Sequence, residues 1–286
     1  MSKLERKGSQ LIRIARGVSV TIVMLLVASS ARAQTSVSSC GTTISASGSY
    51  VLSTNLSCSA DGVDITASDV DFDLHGHRMS STATGTTGIN GCLASIIEHV
   101  TIRNGTVDGF DEDVCTGGLD LRVTGLHLGG SNADVGITIQ GGTRNSSFDS
   151  NVITGIKTGI LLEDASGNNI FLNQISNCGT GVEVFSGVNV AMNNSVFDND
   201  LSSNTGQGIL FQQGAAGPGA TINNAVANNI VNGNGVGIEI TGGGNAIVGN
   251  TAKKNSVVDL QDDSHGCTDN IWLSNTFKTA SPSCIN

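Results

Sequence analysis

Glu163, Glu183, Glu239 and Asp259, with Arg122 and Gln212, lie in or beside a phrase that the chain repeats: Gly, then Ile, Val or Leu, any residue, then an apolar one. It occurs at Gly118-Leu119-Asp120-Leu121, Gly136-Ile137-Thr138-Ile139, Gly159-Ile160-Leu161-Leu162, Gly181-Val182-Glu183-Val184, Gly208-Ile209-Leu210-Phe211 and Gly237-Ile238-Glu239-Ile240, and begins again at Gly88-Ile89. If the apolar members of a short strand point inward, the residue between them points out. Stacking the phrases gives one outward set of Asp120, Thr138, Leu161, Glu183, Leu210, Glu239 and Asp259. Two residues later a second set reads Arg122, Gln140, Glu163, Phe185, Gln212, Thr241 and Gln261. Glu239 and Asp259 then stand one layer apart, with Cβ atoms about 5 Å from each other. Carboxylates that close push one pKa upward, so one serves as acid and the other as its partner in bond cleavage. The candidate catalytic pair is therefore Glu239 and Asp259. Arg122, Glu163, Glu183 and Gln212 are candidate substrate-binding residues, a mixture of carboxylates, amides and a guanidinium suited to sugar hydroxyls.

Other constellations carry less. His75 and His77 flank a glycine at a turn without a third ligand in view, and copper would call for clustered His or sulfur ligands. The acidic run Asp108, Asp111, Glu112, Asp113 lacks the spacing of a helix–loop–helix calcium site and reads as a solvated loop. Asp262-Asp263-Ser264-His265 is the one place where a His joins two carboxylates. No metal site and no cofactor is expected.

What must position the carboxylates is a second repeated phrase: an apolar residue, two residues, Asn, one residue, an apolar residue. Phe148/Asn151/Ile153, Ile170/Asn173/Ile175, Val196/Asn199/Leu201, Val226/Asn229/Val231, Ile247/Asn250/Ala252 and Trp272/Asn275/Phe277 fit it. Leu74/His77/Met79, Ile102/Gly105/Val107 and Leu121/Thr124/Leu126 are looser copies, and the nine starts step by 19 to 30 residues. Self-similarity at that period marks a solenoid. Apolar residues at i and i+2 mark short strands, and helical spacing is missing after residue 33. Asn tolerates the left-handed backbone of a sharp corner, and its amide can form a ladder between stacked coils. The expected fold is all-β, a right-handed parallel β-helix solenoid of nine to ten coils, with the hand taken from the general rule for parallel crossovers.

Cys40-Gly41-Thr42-Thr43-Ile44, Gly48-Ser49-Tyr50-Val51-Leu52 and Leu56-Ser57-Cys58 resemble the opening of right-handed β-helix repeat proteins, a group including NosD-like periplasmic proteins and sharing its architecture with pectin lyases. The next segment in that group runs strand, Asp-Leu-Asn-Gly-His, apolar residue. Here it reads Val70-Asp71-Phe72-Asp73-Leu74-His75-Gly76-His77-Arg78-Met79, with His75 in place of the Asn. Val100 to Phe110 is similar to the group's following coil. The resemblance spans nearly all of the chain after residue 33. It implies pectin-lyase-like architecture, with carbohydrate clefts on a strand face and the loops beside it, and leaves the chemistry open.

Residues 1–33 read as a signal peptide: basic Lys3, Arg6, Lys7, Arg13 and Arg16, an apolar run Val18–Ala28, and Ala31-Arg32-Ala33 before a cut at Gln34. The run is too short for a membrane span, so no membrane anchor is expected after cleavage, and the protein is expected to be secreted or periplasmic. Residues 34–286 read as a single domain. Cleavage removes six of the 14 basic and one of the 24 acidic residues, leaving 8 against 23 and a formal net charge of −15. Such a surface disfavours nucleic acid and anionic membranes. Seven cysteines in an exported chain point to disulfides. The expected pairs are Cys40–Cys58 around a first hairpin, Cys92–Cys115 one coil apart and Cys267–Cys284 around the last coil, leaving Cys178 as a thiol.

The leading functional reading is a non-catalytic module that binds a polysaccharide or other glycan. The alternative is a polysaccharide lyase, hydrolase or epimerase. Against the alternative, Arg122 is the only basic residue placed on the candidate face, and an Asp-Pro-His-Asp motif is excluded because the only prolines are Pro218 and Pro282.

Overall fold

The computed structural model describes residues 34–93, 96–130, 133–214, 221–264 and 267–285; the leader reading for 1–33 and His265 fall outside them. Among the described residues there is no helix, and the paired strands run parallel, each coil to the next. The chain is a parallel β-helix. One sheet of 15 strands runs from Thr35–Val37 to Ile271–Leu273, and a second of 11 strands runs from Thr42–Ile44 to Ala280–Ser281. The Cys40–Cys58 segment is the first parallel coil and contains no hairpin.

The core is two stacks of apolar side chains. In the first sheet Phe148, Ile170, Val196, Val226, Ile247 and Trp272 pair in register as one buried row. Facing them, Ile137, Ile160, Val182, Ile209, Ile238 and Leu260 form a row of the second sheet.

Beside the first row runs the Asn ladder. The side-chain amide of Asn151 donates to the Oδ1 of Asn173 at 3.0 Å, and the relay continues through Asn199, Asn229 and Asn250 to Asn275. From Asn173 to Asn275 each Oδ1 also accepts the backbone N–H of the Asn one coil before, for example Asn173 N to Asn199 Oδ1 at 3.0 Å, while that of Asn151 accepts Leu126 N–H. The left-handed backbone, however, falls on the residue before each ladder Asn: Ser150, Leu172, Asp198, Asn228, Gly249 and Ser274 all have positive φ. The Asn is needed for its amide, which satisfies backbone groups that the corner buries. Two more ladders flank this one, Asn168–Asn194–Asn224–Asn245–Asn270 and Asn204–Asn234–Asn255.

The glycine of the Gly-Ile phrase has a steric cause. A Cβ on Gly181 would collide with the carbonyl oxygen of Gly208, and one on Gly159 would stand 2.5 Å from that of Gly181. The slot faces inward against the next coil. In two coils an Asp fills it: Asp113 lies beside Gly136 in the sheet, one residue after the Glu112–Val135 pair, and Asp259 lies beside Gly237, one residue before the Ile238–Leu260 pair.

The disulfides Cys40–Cys58, Cys92–Cys115 and Cys267–Cys284 are formed, with Cα separations of 5.7, 5.6 and 6.1 Å. Cys178 is a buried free thiol.

Candidate functional site

The outer face of the second sheet carries two straight columns. Thr138, Leu161, Glu183, Leu210, Glu239 and Gln261 pair successively in one. Glu163, Phe185 and Gln212 pair in the other, continued by Thr241. The column reading from sequence places Glu163, Glu183, Gln212 and Glu239 correctly and misplaces Asp259 and Arg122.

Gln261, not Asp259, is the partner of Glu239. Asp259 is 2 % exposed and turned inward, where its carboxylate accepts the Asn255 amide at 2.8 Å and the backbone N–H groups of Lys278 and Thr279 at 2.9 and 3.0 Å. Burial pushes its pKa up, but these donors outweigh burial and hold it below the usual carboxylate range. Its role is to tie down the last coil. Arg122 sits on the first sheet, forked onto buried Asp149 at 3.0 and 3.1 Å. The second-sheet strand of that coil is Glu112–Thr116 and not the Gly118 phrase. Both errors come from an Asp in the glycine slot, which hides the phrase and shifts its apparent register.

Glu239 and Gln212 share a groove of about 500 Å³ with Gln207, Leu210, Gln213, Gly214 and Thr241. The Gln207 amide donates to one oxygen of Glu239 at 2.9 Å. Two coils earlier in the same column, half-buried Glu183 pairs with Leu161 on one side and Leu210 on the other, so apolar groups flank its carboxyl. Glu163 stands diagonally across, one coil back and two residues along. Burial pushes the Glu183 carboxyl up, and the charge of Glu163 adds to it. Two further depressions follow the loop edge of this face. One of about 230 Å³ is lined by Cys92, Leu93, Ile96, Gly117, Gly118, Gln140, Gly141 and Gly142. The other, of about 350 Å³, is lined by Gly141, Gly142, Arg144, Asp164, Ser166, Asn189 and Val190. Arg144 escapes a strand-based reading because it lies past the Gly141-Gly142 turn, in a single-residue bridge to Leu119 outside the repeated strands.

The remaining motifs are structural. His75 has a positive φ and its N–H donates to Asp73, while His77 faces Asn55; the two rings are 6.4 Å apart. Among the described residues no three His, Cys, Asp or Glu side chains converge as a metal site would require. The 108–113 run is no solvated loop. Asp108 pairs with Arg78 at 2.8 Å, Glu112 accepts from Thr138, and Asp113 is fully buried with its Oδ2 taking the Gly129 N–H at 2.8 Å. Burial pushes the Asp113 carboxyl up to about 9. Asp262 accepts from Trp272 Nε1, Asn270 and Ser264, which fixes the C-terminal coil.

The chain is similar in fold to the Dettilon tailspike protein gp208, at TM-score 0.57 and 15 % identity over 86 % of this chain and 54 % of that one. It is similar to the DFA-IIIase of Arthrobacter chlorophenolicus A6 without its lid, at 0.57 and 13 % over 82 % of this chain and 65 % of that one. The enzymatically active domain of bacteriophage CBA120 tailspike protein 2 matches at 0.58 and 12 % over 81 % and 38 %. The chain thus spans between 38 and 65 % of the length of these three proteins. No curated protein sequence matches it. The family model for the right-handed β-helix region matches residues 89–257. With parallel coils, inward apolar rows and that match over more than half its length, the chain belongs to the right-handed β-helix family.

Proposed function

We propose that the protein is exported and binds a polysaccharide laid along the outer face of the second sheet, centred on the groove of Gln207, Gln212, Glu239 and Thr241. The observation that carries this reading is the groove itself: amides and a carboxylate converge there on a straight column whose repeat, about 4.8 Å, is on the scale of one sugar ring. Sugar sites combine such fixed polar groups with apolar surface, here Leu210 and Phe185. Three disulfides support an extracellular setting. Among the described residues no helix is long and apolar enough to cross a membrane.

A second reading, hydrolysis of the bound glycan, is favoured by Glu183. A carboxyl pushed up by burial beside a second carboxylate suits a general acid, with Glu163 as base for the attacking water. Two of the similar folds, the DFA-IIIase in complex with DFA-III and the enzymatically active tailspike domain, are enzymes by name. Purified protein screened against a polysaccharide panel, scored for retention and for new reducing ends, tests both readings. Retention that Gln212→Ala with Glu239→Ala weakens at least tenfold supports binding at the groove. Loss of product in Glu183→Gln with retention kept supports hydrolysis, and that activity should fall as pH rises through the elevated Glu183 pKa. Retention of nothing contradicts the first reading; retention without product from the wild type contradicts the second.

A further inference from the structure

Four arginines lie after residue 34, and three are consumed by internal carboxylates. Arg78 forks onto Asp108, Arg103 onto Asp71 and Arg122 onto Asp149, each through two hydrogen bonds of 2.8 to 3.2 Å. Arg144 makes no such bond among the described residues, and it is exposed. It also lines the depression of about 350 Å³ at the loop edge of the candidate face. It is the one basic residue lining the three depressions described along that face.

The neighbours of Arg144 are already engaged. Asp164, the one carboxylate in the depression's lining, uses each oxygen to accept a backbone N–H, those of Gly187 and Val188 at 2.7 and 3.1 Å, and forms no ion pair with Arg144 among the described residues. Ser166 donates to the Val190 carbonyl at 3.1 Å. What remains unspent is a planar guanidinium and the exposed Asn189 beside it. A guanidinium fork matches two oxygens of a carboxylate or sulfate and discriminates strongly against a neutral hydroxyl. The depression adjoins the column of Glu163, Phe185 and Gln212, because Asp164 follows Glu163 and a Cβ added to Gly141 would stand 3.3 Å from the Cβ of Asp164.

We infer that Arg144 forms an oxyanion subsite for a carboxylate or sulfate carried on a sugar ring, so that the bound polysaccharide is an acidic one. This rests on the polysaccharide reading and names its substrate class. It also gives the acidic protein a way to accept an acidic polymer: one unpaired cation in a recess whose single lining carboxylate, Asp164, is turned onto the N–H groups of Gly187 and Val188.

The test uses matched polymers: hydroxyethyl-cellulose against carboxymethyl-cellulose, and dextran against dextran sulfate, with full-length mature protein, Arg144→Gln, Arg144→Lys and the double variant Lys253→Gln/Lys254→Gln. Wild type should prefer one charged polymer over its neutral counterpart by about tenfold, the scale of one charge-assisted hydrogen-bonded pair, and the preferred pair tells carboxylate from sulfate. Arg144→Gln should erase that preference and leave neutral binding unchanged, Arg144→Lys should keep part of it, and the distant lysine pair should not matter. Equal binding of charged and neutral polymers by wild type, or a preference that survives Arg144→Gln or vanishes in the lysine variant, overturns the subsite and leaves the groove intact. Retention of none of the four polymers contradicts the polysaccharide reading itself.

Discussion

Asp113 and Asp259 occupy equivalent slots and have opposite electrostatics. Asp113 is sealed by Gly129 and the apolar core, with one oxygen lacking a partner, and its carboxyl is pushed up to about 9. The unfolded chain releases that proton near 3.8, so the stability tied to the neutral form is intact below 3.8 and is lost as pH rises toward 9. Asp113→Asn keeps the acceptor for Gly129 and removes the titration. Its melting temperature should match wild type near pH 4 and exceed it by a margin that grows up to pH 9; a constant difference across that range would show that Asp113 does not titrate in the fold. Asp259 behaves the other way. Its folded pKa is lowered, so its contribution is present above the unfolded value of 3.8 and is lost as pH falls through the folded one. Amide exchange in residues 271–281 should therefore accelerate in acid before that of the central coils, and Asp259→Asn should exchange fast there at every pH.

At the scale of elements, the coil is defined by its ladders. Asn199 sits mid-ladder, donating to Ile170 O, Phe197 O and Asn229 Oδ1 and accepting from Asn173. Asn199→Ala strands several buried groups, each worth about 1–3 kcal/mol when unsatisfied; a loss of about 2–4 kcal/mol is expected by denaturant titration, with a smaller loss for part-exposed Asn275→Ala at the ladder's end. Ile170→Ala, in the buried row, should cost about 2–5 kcal/mol. Equal effects at Asn199 and Asn275 would argue against a ladder that closes on buried neighbours.

Much of this layer was legible in the chain. The Asn phrase marks one true ladder and its apolar row, because both depend on a strict spacing around one corner. The second and third ladders are also periodic, as Asn at five-residue intervals, Asn194/Asn199/Asn204 and Asn224/Asn229/Asn234, but a phrase anchored on flanking apolar pairs marks only the middle one. The early copies slipped by two residues. Val123 with Leu128, not Leu121 with Leu126, continues the rows of Phe148 and Ile153, and Phe72 rather than Leu74 pairs with Ile102 across a corner widened by His75-Gly76. Arg122 and Asp259 were misplaced for the related reason that a side chain can replace glycine where the core makes room. Arg144 had no sequence signal at all, since a single-residue bridge between strands carries no periodicity.

The whole molecule offers a ligand two outer faces of different character. The outer face of the first sheet spends Arg103, Arg122, Asp71 and Asp149 on ion pairs and then becomes apolar toward Phe171 and Phe197, whose rings stack at 5.0 Å. The outer face of the second sheet keeps Glu163, Glu183 and Glu239 free of ion pairs among the described residues, with grooves along its edge. Binding there should therefore depend on the carboxylates of the two outward columns, Glu183 and Glu239 in one and Glu163 in the other, and be indifferent to Arg122→Ala, which affects stability alone.

Carboxyl footprinting reads that dependence directly. Protein labelled with a carbodiimide and an amine, with and without the polysaccharide it retains best, is digested and each Asp and Glu is quantified by mass spectrometry. Protection of Glu163, Glu183 and Glu239, with Asp164 of the adjoining depression, while exposed Asp69, Asp120 and Asp134 are labelled as before, is the predicted result. Unchanged labelling of all three glutamates beside protection of Asp69 or Asp120 would contradict the placement of the ligand on the second sheet.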